Sequence, residues 1–559
     1  MTEFRNNPLG ESVFKHKYAL SPSQSWHEKA RHIVEDVTGK GAYGQFNHPL
    51  LSQSERDFLV HAIANMWFIP GGRYVYYAGR PAKFYNNCYI GKAREDSREE
   101  WARIARWATD CLMTGGGIGN DYSIFRHEGA YLSRTGGTAS GPIPLMKMLN
   151  EIGRNVMQGG SRRSAIYASL NWQHLDIEKF LVSKNWGDAT IGKAITEDGK
   201  PYSYHDLKMD DFNGAAPLDM TNISVNYDDA WLDSEHRWTH PTFVKNIEQA
   251  MRNGEPGFSF NFRDKQEETG RNACTEVTSS DHGDVCNLGS VNMGAIPDLT
   301  TFGDVVRVAA KLLVCGTIRS EVPTKEIATV REKNRRIGLG LMGMHEWMLK
   351  RSLPYGMTPE LREWMEVYRA ASQTGADEHC DRLYINRPVA YRSLAPTGTI
   401  GIIAGTTTGL EPLYATAYKR RFLVGNSSWR YQYKIDAITE LMVKQYGINP
   451  DNIETASSLA NDPARRIQFQ ADVQDYIDMA ISSTLNLPAW GSDLNNPDRV
   501  EMMAAIVSQY ASRLRGLTFY PDGSRGGQPL EPVPYAEAVA AGDAEFEENS
   551  ACRDGVCGI

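Results

Sequence analysis

Residues 271–277 read Arg271-Asn272-Ala273-Cys274-Thr275-Glu276-Val277. Taken as an extended segment, this stretch sends the side chains of positions 272, 274 and 276 to one side, because successive residues of a strand alternate. An amide, a thiol and a carboxylate then face one small volume. Such a trio can hold a hydroxyl, abstract a hydrogen atom and accept a proton. The pattern N-x-C-x-E is short enough to recur by chance, so its weight comes from its surroundings. Downstream comes Cys286-Asn287-Leu288-Gly289-Ser290-Val291-Asn292, and far upstream stands Asn86-Asn87-Cys88-Tyr89-Ile90.

The other cysteines divide into two kinds. Eight in 559 residues are too few for a disulfide scaffold. None form a C-x2-C, and no paired histidines stand near them, so no metal site is expected. Cys111, Cys315 and Cys380 lie in apolar, helix-like surroundings and read as buried small hydrophobes. Cys552 and Cys557 instead fall within the last eight residues. A net charge of −8, with 41% hydrophobic and 23% charged residues, describes a globular protein with no general reason to bind nucleic acid or an anionic membrane. Neither a signal peptide nor a membrane-spanning apolar run is visible, and a cytoplasmic protein is expected.

Further outward, residues 1–70 read as an N-terminal helical region, with Trp26, Ile33, Val34, Phe58, Leu59, Ile63 and Trp67 on amphipathic faces. Residues 71–525 mix short strand-like runs with longer helical ones, which predicts an α/β architecture. Ser97 and Glu100 fit a capping box ahead of Trp101, Ile104, Ala105, Ala108, Cys111 and Leu112 at helical spacing, and Gly115-Gly116-Gly117 stop that helix. Residues 526–559, rich in Pro, Gly, Ala and Glu, read as a flexible tail that ends in the cysteine pair. The plainer alternative is a frayed tail with incidental cysteines.

Thr397-Gly398-Thr399-Ile400-Gly401 follows Pro396 and precedes an apolar run, so free N–H groups and two hydroxyls at a helix start suit a phosphate. Alone this is a weak signal, since Thr/Gly turns are common. Two other patterns carry no function. Gly338–Gly343 satisfies G-x-G-x-x-G, but Glu332–Arg336 before it is no buried strand. His345-Glu346 begins an H-E-x-x-H that Leu349 breaks.

Together these segments resemble the catalytic chain of ribonucleotide reductases. The likeness also takes in TGGGIGNDYSIFR (114–126), GGSRRSAIYASLNWQHLDIEKFL (159–181), NRRIGLGLMGMHEW (334–347), APTGTIGIIAGTTTGLEP (395–412), SSTLNLP (482–488) and LTFYPDGSRGGQPL (517–530). It implies a ten-stranded α/β barrel of two half-barrels with a central finger loop, and reduction of ribonucleotides to 2′-deoxyribonucleotides. On matching residues it implies that Cys274 becomes a thiyl radical that abstracts the ribose 3′-hydrogen. Glu276 takes the 3′-hydroxyl proton, Asn272 binds ribose hydroxyls, and Cys88 and Cys286 are the reducing pair that ends as a disulfide. A barrel suits this chemistry, because it shields a radical from solvent.

The same resemblance makes Cys552 and Cys557 the redox relay that restores the active-site thiols, with thioredoxin or glutaredoxin as external partner. The 26 residues from Gly526 to Cys552 could stretch to roughly 85 Å. Thr397, Gly398, Thr399, Ile400 and Gly401 become the cradle for the phosphates of a ribonucleoside di- or triphosphate, with Gly116 and Gly117 in support. Asp96 and Ser97 fall where the family holds a deoxynucleotide effector, and Ser161, Arg162 and Arg163 lie in the loop that relays its identity. Helix capping alone is the plainer reading of Asp96 and Ser97, and both can hold.

The resemblance also bears on how the radical is made. Members with a separate metal-bearing subunit receive it through two adjacent tyrosines. Here Phe519-Tyr520 stands in that place, within a string that looks like the adenosylcobalamin-dependent class. Adenosylcobalamin, bound without a histidine ligand, is therefore the expected cofactor. The rivals are a catalytic subunit served by a ferritin-like radical partner and a non-catalytic nucleotide-binding regulator. Only 39 residues separate Gly119 from Gly159, too few for the insertion that completes the effector site within one chain, so a homodimer is expected. The N-terminal region is too short for the family's ATP-binding regulatory domain, and no overall activity switch is expected.

Overall fold

The computed structural model describes residues 4, 7–40, 46–156, 164–196, 198–211, 214–424, 428–524, 530–542 and 545–547. Ten strands make its main sheet: β1 (Phe68–Pro70), β2 (Cys88–Lys92), β3 (Gly117–Asp121), β4 (Ile166–Asn171), β5 (Thr221–Tyr227), β6 (Gly257–Phe260), β7 (Asp284–Asn292), β8 (Ile337–Met342), β9 (Thr484–Leu487) and β10 (Gly516–Pro521). Strands β2 to β6 form one parallel run in chain order. A second set pairs β7 with β8 and β9 with β10, again parallel. The two sets meet antiparallel, β2 against β7 and β6 against β10. Between β8 and β9 the ladder is not continuous. Isolated bridges carry it there, Leu339 with Arg392 and Leu394 with Ile481.

Strands of a parallel sheet are covered on both faces, so they read as buried runs rather than as alternation. β4 is buried at five consecutive positions from Ile166, and β8 is buried throughout. Helices supply the cover. Helix Arg98–Met113 follows β2, helix Ile143–Asn155 precedes β4 and helix Pro241–Asn253 precedes β6. Their inner faces join the strands of the first set in one apolar core. A second core unites the N-terminal helices, β1, β8 and helices Leu299–Arg319 and Pro359–Leu383. In it Trp26 and Trp347 are fully buried, each contributing roughly 1.5–3 kcal/mol or more of apolar stabilisation.

Two expectations change in detail. Ser97 does cap helix Arg98–Met113, accepting the Glu100 N–H at 3.1 Å. The Glu100 carboxylate, however, turns to the Arg94 N–H and to Arg103 instead of closing a capping box. Gly338–Gly343, already set aside as a nucleotide fingerprint, runs along a strand: Gly338 and Gly340 lie within β8, and a Cβ on Gly340 would stand 2.6 Å from the Ser393 carbonyl. The tail expected from residue 526 is structured in part. Leu530–Pro532 and Glu545–Glu547 pair antiparallel with the two strands of the hairpin Ala417–Val424/Ser428–Ile435, with helix Tyr535–Ala541 between them. Edge pairing satisfies the backbone of a polar segment without requiring a core, which is why composition alone missed it. Among the described residues no helix is long and apolar enough to cross a membrane.

Candidate active site

The decisive stretch is a hairpin, not an extended strand. Gly270–Arg271 pairs antiparallel with Thr278–Ser279, and residues 272–277 turn between them. The Thr275 N–H reaches the Asn272 carbonyl at 3.0 Å, and Thr275 takes the left-handed conformation at φ +69°. Asn272 and Glu276 therefore meet across the neck of a finger, and Cys274 stands at its tip. The finger is held from three sides. The Arg271 guanidinium, fully buried, donates to Asn261 Oδ1 (2.8 Å), to the Arg515 carbonyl (2.9 Å) and to Ser259 Oγ (3.2 Å). Asn222 Nδ2 donates to the Ala273 carbonyl at 3.0 Å, and the Ala480 N–H to the Glu276 carbonyl at 2.9 Å. The passage is tight: a Cβ on Gly119 of β3 would lie 2.0 Å from the Arg271 carbonyl oxygen.

Asn272 is buried, and both ends of its amide are engaged. Its Oδ1 accepts the Val277 N–H at 2.9 Å, and its Nδ2 points at Cys88 Sγ, 3.4 Å away. Cys88 opens β2, faces Cys286 of β7 in the antiparallel register and is buried. The Cys286 side chain lies outside the described residues. Glu276 is buried, and burial pushes its carboxyl up to about 7. Its Oε2 has no hydrogen-bond partner, which leaves an acceptor for a proton or hydroxyl brought to the site. Cys274 and Thr275, by contrast, are half-buried. The arrangement puts a half-buried thiol on the same turn as a buried amide and carboxyl, with a second, buried thiol beside the amide. Asn222, Ala480 and Arg271, which fix it, carry no sequence signal of that role.

The remaining expected residues fall into separate places. Thr397 is left-handed at φ +51° and precedes helix Gly398–Ala404; its hydroxyl accepts the Gly409 N–H at 2.9 Å. That leaves the helix start without a side-chain cap, and a Cβ on Gly398 would meet nothing within 4 Å. Thr399, Ile400 and Gly401 follow in its first turns. Gly117 is the β3 residue opposite Cys88 and stands beside that thiol, whereas Gly116, just before it, packs against the Tyr89 ring. At the far end of β2, Asp96 Oδ2 accepts from Arg126 Nε at 2.5 Å. Ser161, Arg162, Arg163, Cys552 and Cys557 lie outside the described residues. Cys111, Cys315 and Cys380 are fully buried, and Cys315 Sγ lies 3.2 Å from His379 Nε2.

Comparison with known proteins bears on the whole arrangement. The family described as "Ribonucleotide reductase, barrel domain" matches residues 86–224, 243–375 and 389–520. A vitamin B12-dependent ribonucleoside-diphosphate reductase of Mycobacterium tuberculosis (strain CDC 1551 / Oshkosh) is 27% identical, over 97% of this chain and 83% of its own. Among solved structures, a B-12 dependent (class II) ribonucleotide reductase superposes with a TM-score of 0.68 at 16% identity, covering 95% of this chain and 94% of that one. The class Id ribonucleotide reductase alpha subunit of Actinobacillus ureae gives 0.67 at 15% identity, covering 92% and 97%. At such identities the two structures speak for the fold alone.

Proposed function

The chain belongs to the ribonucleotide reductase barrel family and is a catalytic subunit that reduces ribonucleotides, and we propose that it does so by thiyl-radical chemistry centred on Cys274. The observation that carries this reading is the finger: the half-buried Cys274 thiol stands at the tip of the turn whose neck holds Asn272 and Glu276, with Asn272 in turn against Cys88. In the proposed cycle the Cys274 thiyl takes the ribose 3′-hydrogen atom and becomes a thiol. Glu276 takes the 3′-hydroxyl proton. A proton from the Cys88/Cys286 pair lets the 2′-hydroxyl leave as water. That pair supplies two electrons, with its second hydrogen going to C2′, and ends as a disulfide; Glu276 returns its proton to the 3′-oxygen, and Cys274 returns a hydrogen atom to C3′. The sum is one ribonucleotide and two thiols converted to one deoxyribonucleotide, one disulfide and one water. Cys552 and Cys557 would reduce the disulfide by exchange and be regenerated by thioredoxin or glutaredoxin.

Adenosylcobalamin is the proposed radical source. The residues present fit it: Cys274 at the finger tip is partly exposed, while Asn272, Glu276 and Cys88 are buried. Phe519, in the place of the first relay tyrosine, is packed against Phe258 in the apolar core and has no hydroxyl to pass a proton and electron onward. When bound, the cofactor supplies the one-electron oxidation of the Cys274 thiol. The relative from M. tuberculosis is named as B12-dependent, which supports the same choice. The substrate phosphates are assigned to Thr397–Gly401 and a deoxynucleotide effector to Asp96 and Ser97 across a homodimer. Purified chain, adenosylcobalamin and dithiothreitol with each nucleotide in turn should give deoxynucleotide with no second protein. Activity that appears only with a ferritin-like partner would refute the cofactor assignment.

A further inference from the structure

Asn222 is where the barrel wall reaches the finger tip. From the start of β5 its Nδ2 donates to the carbonyl of Ala273, the residue before Cys274, at 3.0 Å. Asn222 itself is exposed, so packing does not fix its amide and the backbone beneath it must. That backbone enters β5 through a turn. Leu218 is left-handed at φ +54°, and the Thr221 N–H returns to its carbonyl at 3.1 Å. A leucine rarely takes that conformation, and it persists where the surroundings over-determine it.

The surroundings are one face of helix Ile143–Asn155. Asn150, buried on that helix, accepts with Oδ1 both the Met220 N–H and the Thr221 hydroxyl, each at 2.9 Å. Its Nδ2 donates to Asp219 Oδ1 at 3.3 Å. Arg154, one turn on, donates to both oxygens of the same carboxylate, at 3.0 and 2.5 Å, and Lys208 donates to Oδ2 at 2.8 Å. Residues 219, 220 and 221 are thus each tied to the helix, and the next residue holds the finger. Strand β5 has other anchors in the sheet. Lys184 donates to the Thr221 carbonyl at 2.8 Å, and Glu255 Oε1 accepts the Ile223 N–H at 2.9 Å. What Asn150 adds is the pitch of the turn, and with it the direction of the Asn222 amide.

We propose that Asn150 is a positioning residue for Cys274: by setting the turn 218–221, it aims the Asn222 amide that holds the finger tip. The inference rests on the reading of Cys274 as the reacting thiol. Asn150→Ala in the full-length chain should loosen the finger without loosening the barrel. Amide exchange in a peptide covering 272–277, followed by mass spectrometry, should quicken about five-fold, the effect of one lost hydrogen bond. A peptide covering β8 should exchange as in wild type. With adenosylcobalamin present, kcat should fall by a similar factor while KM for the ribonucleotide stays. Asn222→Ala should act alike, and adding Asn150→Ala to it should change nothing more, because the two lie in series. Thr221→Val keeps the side-chain shape and removes one donor to Asn150. It should show the same pattern at smaller size, and it serves if Asn150→Ala does not fold. Equal quickening in β8 overturns the proposal in favour of a general structural role, and additive effects of the two alanines overturn the shared route. Unchanged exchange at the finger overturns it outright. If the finger responds but Cys274→Ser still makes deoxynucleotide, the reading of Cys274 fails, and the proposal fails with it.

Discussion

Asn272 Nδ2 lies 3.4 Å from Cys88 Sγ while its Oδ1 holds the Val277 N–H, so one amide ties the neck of the finger to the thiol at the start of β2. The acceptor end is consumed by the backbone, which forces the donor end towards sulfur. Asn272→Ala should remove both ties. With the Val277 N–H left buried and unpaired, stability should fall by about 1–3 kcal/mol, measured by denaturant unfolding, and turnover should fall by at least about 100-fold. An alanine variant of near wild-type stability and activity would show that the amide is incidental.

Glu276 gives a pH dependence with a defined sign. Burial raises its carboxyl from 4.5 to about 7, and a base must be ionised to work, so turnover should climb through pH 7 and level off above it. The linkage to stability runs the other way. The folded state holds the proton more tightly than the unfolded one, so the stabilisation this carboxyl provides is complete at pH 4 and is lost as pH rises through 7. Glu276→Gln should therefore be inactive, match wild type in stability at pH 4 and exceed it by up to about 3 kcal/mol at pH 8. Denaturant titrations at the two pH values check this, and equal differences at both would contradict a buried, protonated carboxyl.

Cysteine variants separate the radical step from the redox supply. Cys274→Ser should make no deoxynucleotide under any condition while binding nucleotide nearly as well as wild type. Cys552→Ser should lose turnover with thioredoxin yet keep much of it with dithiothreitol, a small dithiol that can enter the barrel directly. Equal losses with both reductants would mean that the terminal pair does not serve as a relay.

Gly119→Ala tests the fit of the finger in the barrel. The added Cβ would lie 2.0 Å from the Arg271 carbonyl, and backbone cannot swing aside as a side chain can. Overpacking of this kind costs about 1–3 kcal/mol. Because the finger must shift to relieve it, activity should fall more than stability does. A variant with unchanged melting temperature and turnover would show that this passage is looser than the geometry implies.

The sequence announced the chemistry of the site more clearly than its shape. N-x-C-x-E, Cys88 and Cys286 were legible because thiols, amide and carboxylate are scarce and specific. Alternation along a strand would align positions 272, 274 and 276, whereas a turn with Thr275 at φ +69° brings 272 and 276 together and leaves 274 outermost. A threonine in that conformation has no local signature. Glycines were under-read for a similar reason. Gly119 and Gly340 serve tertiary close approach, and nothing in their neighbours reveals what will pass them. Helix Arg98–Met113 was placed well, since its cap and periodicity are local.

The edge pairing of Glu545–Glu547 with Arg430–Gln432 turns a long leash into a short one. Measured from Gly526, Cys552 could sweep a sphere of roughly 85 Å radius. Measured from Glu547, it is five residues out, a span of at most roughly 17 Å. The accessible volume contracts about a hundred-fold, and the local thiol concentration inside it rises in proportion. If Cys552 acts in the proposed relay, a target beyond that reach is met only after the strand peels from the hairpin, and peeling would then set the tempo of exchange.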